Sequence, residues 1–255
     1  MLDTSNYKLL ISMSVVSHGQ LELISTLLDT IPHQVHKEIE VILTLNLPED
    51  ESLLSVERSF KTVVIRNDDP KGFGANHNSA FKVSSGRYFA VVNPDIVLVE
   101  NPFDRLITVL QHPEVGLVSP EIIDSIGRKQ DSCRKFPTIL QLLRRRLLKV
   151  PDYIEIPEIF SPQWVGGMFM LFQRFAYEAV DGFDENFFMY CEDADICRRL
   201  SCMGYQVLQV GGAKVIHDAQ RNSHRNLRHL KWHITSLFRF NVKLIRNCPS
   251  LTSQQ

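Results

Sequence analysis

Between Asp181 and Asp195, six carboxylates (Asp181, Asp184, Glu185, Glu192, Asp193 and Asp195) are interleaved with Phe183, Phe187, Phe188, Met189 and Tyr190. A carboxylate walled by apolar groups resists ionisation and can serve as a general base near neutral pH. The same acids also suit the opening turn of a helix, where the dipole favours negative charge, so a structural role stays open. Asp95 is a second candidate. It follows the apolar run 89–92 through Asn93-Pro94, where a hard oxygen would meet a metal or ligand, or would simply end a strand. Gly72-Phe73-Gly74-Ala75-Asn76-His77 has two of the three glycines of a dinucleotide fingerprint and follows the third strand-like segment, a weak match. Its turn can still offer backbone N–H groups, and the amides of Asn76 and Asn78, to a ligand. His217 closes another apolar segment, as a packed histidine or as a late ligand for a metal or diphosphate.

The elements that must position these groups follow from hydrophobic periodicity. Strands are predicted at 9–16, 38–45, 62–65 and 87–92, with helices at 21–31, 50–59 and 75–83 between them. Strands alternating with helices of this length predict an α/β fold, a mostly parallel, Rossmann-like twisted sheet flanked by helices, with ligands outside the carboxyl ends of the strands. Asn101-Pro102 caps a helix running to about Gln111, and 116–119 returns as a strand. Residues 124–163 form a less regular excursion, punctuated by prolines around a helix with Arg144-Arg145-Arg146. An apolar segment at 164–173, broken by Gly166-Gly167, precedes a short helix, a helix over 192–203, a strand over 205–210 and a terminal helix over 225–246.

The chain has 255 residues with 44% hydrophobic and 22% charged, values of an ordinary globular protein. A net charge of -1 gives no overall basic field for nucleic acid. No apolar run approaches the ~20 residues of a helical membrane span. The first residues show no leader pattern, and five cysteines without CxxC spacing predict reduced thiols in the cytoplasm. Charge is uneven, however. From 214 to 247 eight basic residues face one acid, Asp218, and Leu227, Leu230, Ile234, Leu237, Phe238 and Ile245 recur near helical spacing. That is the pattern of a basic amphipathic helix, for a membrane surface through 221–246 or for packing on the domain.

Val15-Val16-Ser17-His18-Gly19, the stretch 67–78 (NDDPKGFGANHN), the stretch 88–95 (YFAVVNPD), Trp164-Val165-Gly166-Gly167 and the stretch 182–199 (GFDENFFMYCEDADICRR) resemble, in order and spacing, the family 2 inverting glycosyltransferases. Within that family they are most similar to bacterial O-antigen rhamnosyltransferases, as are Arg134-Lys135-Phe136 and Lys231-Trp232-His233. The likeness runs from about residue 9 to 246.

The resemblance implies a GT-A fold in one domain: a nucleotide-sugar half (1–100), an acceptor-binding and catalytic half (101–213) and a basic helical tail (214–255). It implies a divalent metal, Mg2+ or Mn2+, held by Asp95 at the DxD position, with His217 as a later metal-side histidine. Asp193 would be the general base, supported by Glu192. Ser17, His18, Asn46, Asn67, Gly72, Phe73, Asn76, Asn93 and Asp95 would line the donor side, and Trp164, Gly166, Gly167 and Asp195 the acceptor side. The implied reaction moves L-rhamnose from dTDP-L-rhamnose onto a lipid-diphosphate-linked sugar, at the inner face of the bacterial cytoplasmic membrane, without nucleic acid. A UDP- or GDP-sugar donor is the nearest alternative, and a non-catalytic sugar-binding module another. Two departures stand out. The first acid of DxD is Asn93, and Thr44-Leu45-Asn46 replaces the usual acid-containing pair that meets the nucleobase.

Overall fold

The computed structural model describes residues 9–138, 159–217 and 227–246. In the first half, β1 (Leu9–Ser17), β2 (Ile39–Leu45), β3 (Lys61–Arg66) and β4 (Gly86–Val92) pair in parallel in the order β3-β2-β1-β4. Every residue of β2 is buried, as expected of a parallel strand covered on both faces. The crossovers run through α1 (Leu21–Asp29), one 3-10 turn (Ser52–Ser55) and α2 (Phe73–Val83). The helix predicted over 50–59 is only that turn. Leu53 and Leu54 pack against the core only in part, and the segment has too few apolar positions to hold a longer amphipathic face.

The second half is mixed. It contains β5 (Ile96–Val97), α3 (Phe103–Leu110), β6 (Val115–Ile123), β7 (Cys133–Arg134), β8 (Ile159–Phe160), β9 (Trp164–Val165), β10 (Phe169–Gln173), α4 (Arg174–Ala179), α5 (Glu192–Cys202), β11 (Gln206–His217) and α6 (Leu227–Arg246). The sheet continues from β4 as β10-β6-β11-β5, nine strands among the described residues counting β8 on the side of β11. β10 runs antiparallel to both β4 and β6, and β5 and β8 antiparallel to β11, while β6 and β11 pair in parallel, so the predicted mostly parallel sheet is unbroken in the first half and interrupted by antiparallel strands in the second. The predicted segment 164–173 divides at Gly166-Gly167. β9 leaves the sheet and forms a separate ribbon with β7, in register Cys133↔Val165 and Arg134↔Trp164.

β6 and β11 extend beyond the predicted 116–119 and 205–210, the added residues pairing in parallel as Val215↔Ile122 and Ile216↔Ile123. Gln209 is buried and its Nε2 donates to Ser132 Oγ at 3.0 Å. β11 is long enough to reach the site only by means of a bulge, its register shifting between Val210 and Lys214. Gly212 sits there at φ +80, where a Cβ would lie 2.8 Å from Arg105 Nη1. Past the bulge, His217 arrives opposite Ile96, next to Asp95. The Asn101 cap is present, its Oδ1 accepting from Phe103 N at 3.1 Å.

Cys133, Cys191 and Cys197 are free thiols, whereas Cys202 is disulfide-bonded, a correction to the expectation that all five are reduced. The Arg144-Arg145-Arg146 helix, Arg221, Arg225 and Cys248 lie outside the described residues. No helix among the described residues is long and apolar enough to cross a membrane.

Candidate active site

Two clusters of chemical groups flank the carboxyl end of β4. The first forms where β5 pairs with the tip of β11. His217 Nε2 lies 3.3 Å from Asp95 Oδ2, and His217 Nδ1 is 3.0 Å from Gln130 Oε1, so Gln130 fixes the ring. Asp95 Oδ1 is buried without a hydrogen-bond partner. A buried carboxylate oxygen left unpaired costs free energy unless something occupies it. The Asp95 oxygen suits a hard divalent ion such as Mg2+ or Mn2+, the imidazole nitrogen favours Mn2+ of the two, and the ion's other positions suit phosphate oxygens and water. Among the described residues no cluster of three potential protein ligands exists, and Asp95 and His217 stand as a pair. Asn93, the other end of the motif, is used by the backbone: its N–H donates to Met168 O at 2.9 Å.

The second cluster is at the start of α5. Tyr190 and Cys191 both hold left-handed backbone, φ 73 and 64, immediately before Glu192. Two consecutive non-glycine residues in that region store strain on the order of 1–3 kcal/mol each, tolerated where the surroundings over-determine the geometry. Asp193 is partly buried. Its Oδ2 accepts from Gly167 N at 3.1 Å and its Oδ1 from Ala194 N at 2.8 Å, which fixes the carboxylate plane. Burial pushes its pKa up to about 6, with those two amides and Arg134 acting in the opposite direction. Glu192 is buried more deeply and is raised well above the usual carboxylate range, first by burial and then by the neighbouring Asp193 charge. Its Oε2 has no hydrogen-bond partner. The pair is therefore arranged as one carboxylate poised near neutrality beside a second that burial makes harder still to ionise, the division that acid–base sites show.

Most of the other predicted site residues support these two clusters. His18 is exposed at the mouth of the sheet, its Nδ1 3.2 Å from Asn46 Nδ2. Asn46 is the hub of the loop below: its Oδ1 accepts from Lys71 N at 2.8 Å and Asn67 Nδ2 at 2.9 Å, and its Nδ2 donates to Lys71 O at 3.0 Å. Asn76, predicted to face a ligand, is instead buried and accepts from Asn67 Nδ2 at 2.7 Å. Asn78 is likewise turned inward, donating to Phe183 O and accepting from Tyr177 Oη. Ser17 is fully buried and accepts from Gln20 N at 3.0 Å, opening α1. Gly72 serves a close approach of protein to protein: a Cβ there would meet Phe188 O at 2.7 Å, and Phe73 N already donates to that carbonyl at 2.9 Å. The first amide of α2, offered above as a ligand donor, is thus occupied.

On the acceptor side, Asp195 is completely buried, with Oδ2 bonded to Arg199 Nε at 2.7 Å and Oδ1 to Lys243 Nζ at 2.8 Å. It ties α5 to α6 and presents no oxygen to a substrate. Trp164 is nearly buried, donates to Lys135 O at 2.9 Å and lies under the Arg134 guanidinium, 5.5 Å from the ring centre. Gly166 N donates to Ser132 O, and Gly167 would bring a Cβ to 3.1 Å from Phe73 Cζ. Sequence reasoning gave no role to Gln130, which is 87 residues from His217. For Arg134 it had only the local subgroup likeness.

A chain with this sheet, a carboxylate–imidazole pair at the end of β4 and a partly buried acid at the start of α5 has the layout of a nucleotide-sugar-dependent transferase of GT-A fold. The comparisons agree. Residues 12–180 match the family described as glycosyl transferase family 2, so the chain belongs to it and is a glycosyltransferase. It is 28% identical over 244 residues to rhamnosyltransferase WbbL of Escherichia coli, covering 89% of this chain and 90% of that one. It is 30% identical over 164 residues to the N-acetylglucosaminyl-diphospho-decaprenol L-rhamnosyltransferase of Mycobacterium tuberculosis, covering 59% of this chain and 53% of the relative. Among solved structures, the mannosyltransferase PcManGT from Pyrobaculum calidifontis in complex with GDP-Man and Mn2+ superposes with a TM-score of 0.68 at 17% identity, covering 97% of this chain and 66% of that one. S. aureus TarS gives 0.63 at 14% identity, covering 95% and 40%. These two likenesses bear on the fold.

Proposed function

We propose that this glycosyltransferase moves L-rhamnose from dTDP-L-rhamnose, with inversion, onto a lipid-diphosphate-linked sugar at the inner face of the bacterial cytoplasmic membrane. The observation that carries the mechanism is Asp193: a partly buried carboxylate, oriented by Gly167 and Ala194 and raised to about 6, is ionised at neutral pH yet basic enough to accept a proton. As the acceptor hydroxyl oxygen bonds to the anomeric carbon, its proton passes to Asp193. The anomeric carbon–oxygen bond to the diphosphate breaks on the opposite face, and that electron pair leaves with the nucleoside diphosphate. Burial and the Asp193 charge both disfavour ionisation of Glu192, which limits negative charge beside the base. Asp95 and His217 would hold a divalent ion, which would neutralise charge on the departing diphosphate when bound. The rhamnosyl donor and lipid-linked acceptor are supported by the names of the two relatives, one of which acts on a decaprenol diphosphate sugar.

The test is turnover of purified protein with dTDP-rhamnose, UDP-sugars and GDP-sugars on a short-chain polyprenyl-diphosphate sugar, with products identified by mass and anomeric configuration. Rhamnosyl transfer with inverted configuration is expected. Turnover with UDP- or GDP-sugars alone would keep the reaction class and discard the donor.

A further inference from the structure

α6 has two unlike faces. Its inner face grips the catalytic segment: Ser236 Oγ donates to Met189 O at 2.8 Å, the Tyr190 hydroxyl and His229 Nδ1 are 2.9 Å apart, and Lys243 Nζ reaches Asp184 Oδ2 at 2.7 Å and Asp195 Oδ1 at 2.8 Å. Phe240 is fully buried against Phe136. On the outer face Leu230, Ile234, Phe238 and Ile245 are 54%, 59%, 66% and 86% exposed. At 100° per residue these four fall within an arc of roughly 80°, a single stripe along the helix. Arg228 and Lys231 are exposed beside it, and α6 contains no Asp or Glu. Large apolar side chains seldom line up in water without something to cover them.

We propose that this outer face docks on an anionic lipid surface, with α6 lying in the plane of the headgroups. The choice of occupant rests on charge complementarity: an apolar stripe flanked by the exposed Arg228 and Lys231, on a helix without Asp or Glu, matches an anionic bilayer surface, and the helix is not apolar enough to cross one. This deepens the reading of a lipid-linked acceptor and rests on it only for the kind of partner. Because the inner face of the same helix fastens residues 184–195, docking also sets Asp193 at a fixed height above the headgroups.

Flotation of the full chain, without donor, tests the surface. The probes are vesicles of phosphatidylcholine alone and of roughly 3:1 phosphatidylcholine to phosphatidylglycerol, whose negative surface should attract the flanking cations. Binding is expected to the second only, weakened about tenfold or more by Ile234→Asp with Phe238→Asp, which removes the stripe, and weakened by Lys231→Glu, which removes one flanking charge. Absence of wild-type binding to the anionic vesicles, or binding unchanged in the double variant, overturns the proposal. Dimerisation seen by sedimentation velocity, lost in the double variant and unaccompanied by vesicle binding, also overturns it and gives the stripe to a second copy. Intact vesicle binding by a protein that transfers from UDP- or GDP-sugars and not from dTDP-rhamnose would support the docking surface while sinking the donor assignment.

Discussion

Buried acids are handled in opposite ways in the two halves of the sheet. In the parallel half Glu40 is completely buried, and its oxygens accept from Ser12 Oγ at 2.7 Å, Ser85 N at 2.6 Å, Ser85 Oγ at 2.8 Å and Lys61 Nζ at 2.7 Å. Burial raises its pKa, but the Lys61, Ser12 and Ser85 bonds outweigh that and leave it below the usual value. In the mixed half Asp193 receives only two amides and stays high, and Glu192 keeps an orphaned oxygen. Asp195, two residues on, is satisfied by two cations. The difference separates acids that fasten strands together from acids left ready for a proton. Backbone strain follows the same division: among the described residues, non-glycine positive φ occurs at Asp181, Tyr190 and Cys191, all in the mixed half.

The largest effect that would break this comparison is at Asp193. Asp193→Asn removes the proton acceptor and keeps the shape, so single-turnover rates should fall about 10²–10⁴-fold while nucleotide binding persists. A fall of less than tenfold would remove the base from Asp193. The same substitution should also change how stability depends on pH. A carboxyl whose folded pKa exceeds its unfolded value contributes stability below the unfolded pKa, near 4, and loses it as pH rises through about 6. Asn offers one acceptor where two amides donate, so the variant should be less stable than wild type at pH 4, and that deficit should shrink by on the order of 1–3 kcal/mol by pH 7.5, read in denaturant melts. Next in size is Asp95→Ala. It should abolish the metal-dependent part of stabilisation by dTDP and weaken donor binding about tenfold or more, read by thermal shift with Mn2+ and with EDTA. An identical metal response in wild type and variant would take the ion away from Asp95.

The same contrast explains what could be read from sequence. The parallel half announces itself because buried parallel strands are runs of Val, Ile and Leu, and only the 50–59 helix was misplaced there. The site acids were visible as well, since Asp95, Glu192 and Asp193 stand against apolar neighbours. What distinguishes Asp193 from Asp195 was not legible: it depends on Lys243, 48 residues downstream, and on the Gly167 amide, 26 residues upstream. The roles of Gly72, Asn76 and Asn78 were hidden in the same way. Glycines and amides suit a ligand turn and a tightly packed turn alike, and only the position of Phe183 and Phe188 decides between them.

Two smaller effects sharpen the comparison. Gly72→Ala forces a Cβ within 2.7 Å of Phe188 O, and Gly86→Ala forces one within 2.5 Å of Ser12 N. Each should cost about 1–3 kcal/mol in denaturant melts, since backbone cannot yield as a side-chain tip can. Gly72→Ala should in addition lower turnover in the protein that remains folded, because Phe188 leads into the strained entry to α5, whereas Gly86→Ala should leave turnover per folded molecule unchanged. Equal loss of turnover in both would mean that the two halves are not separable in this way.

The smallest expected effect is at Arg134. Its guanidinium lies over Trp164 on the ribbon whose Gly166-Gly167 end holds Asp193, and its charge favours the ionised base. Arg134 is itself paired with Asp131 at 2.9 Å, and its charge favours ionisation of Asp193 after the larger effects of the Ala194 and Gly167 amides. Arg134→Gln should move the acidic limb of kcat/KM to higher pH, halving the rate roughly at pH 6 and leaving it unchanged at pH 8, where Asp193 is ionised in either protein. Arg134→Lys should restore the limb, since it restores the charge without the planar stack. A loss equal at both pH values and not rescued by Lys would mean that Arg134 acts through the Trp164 stack alone, and the tuning of the catalytic acid would then lie wholly in its burial and its two amides.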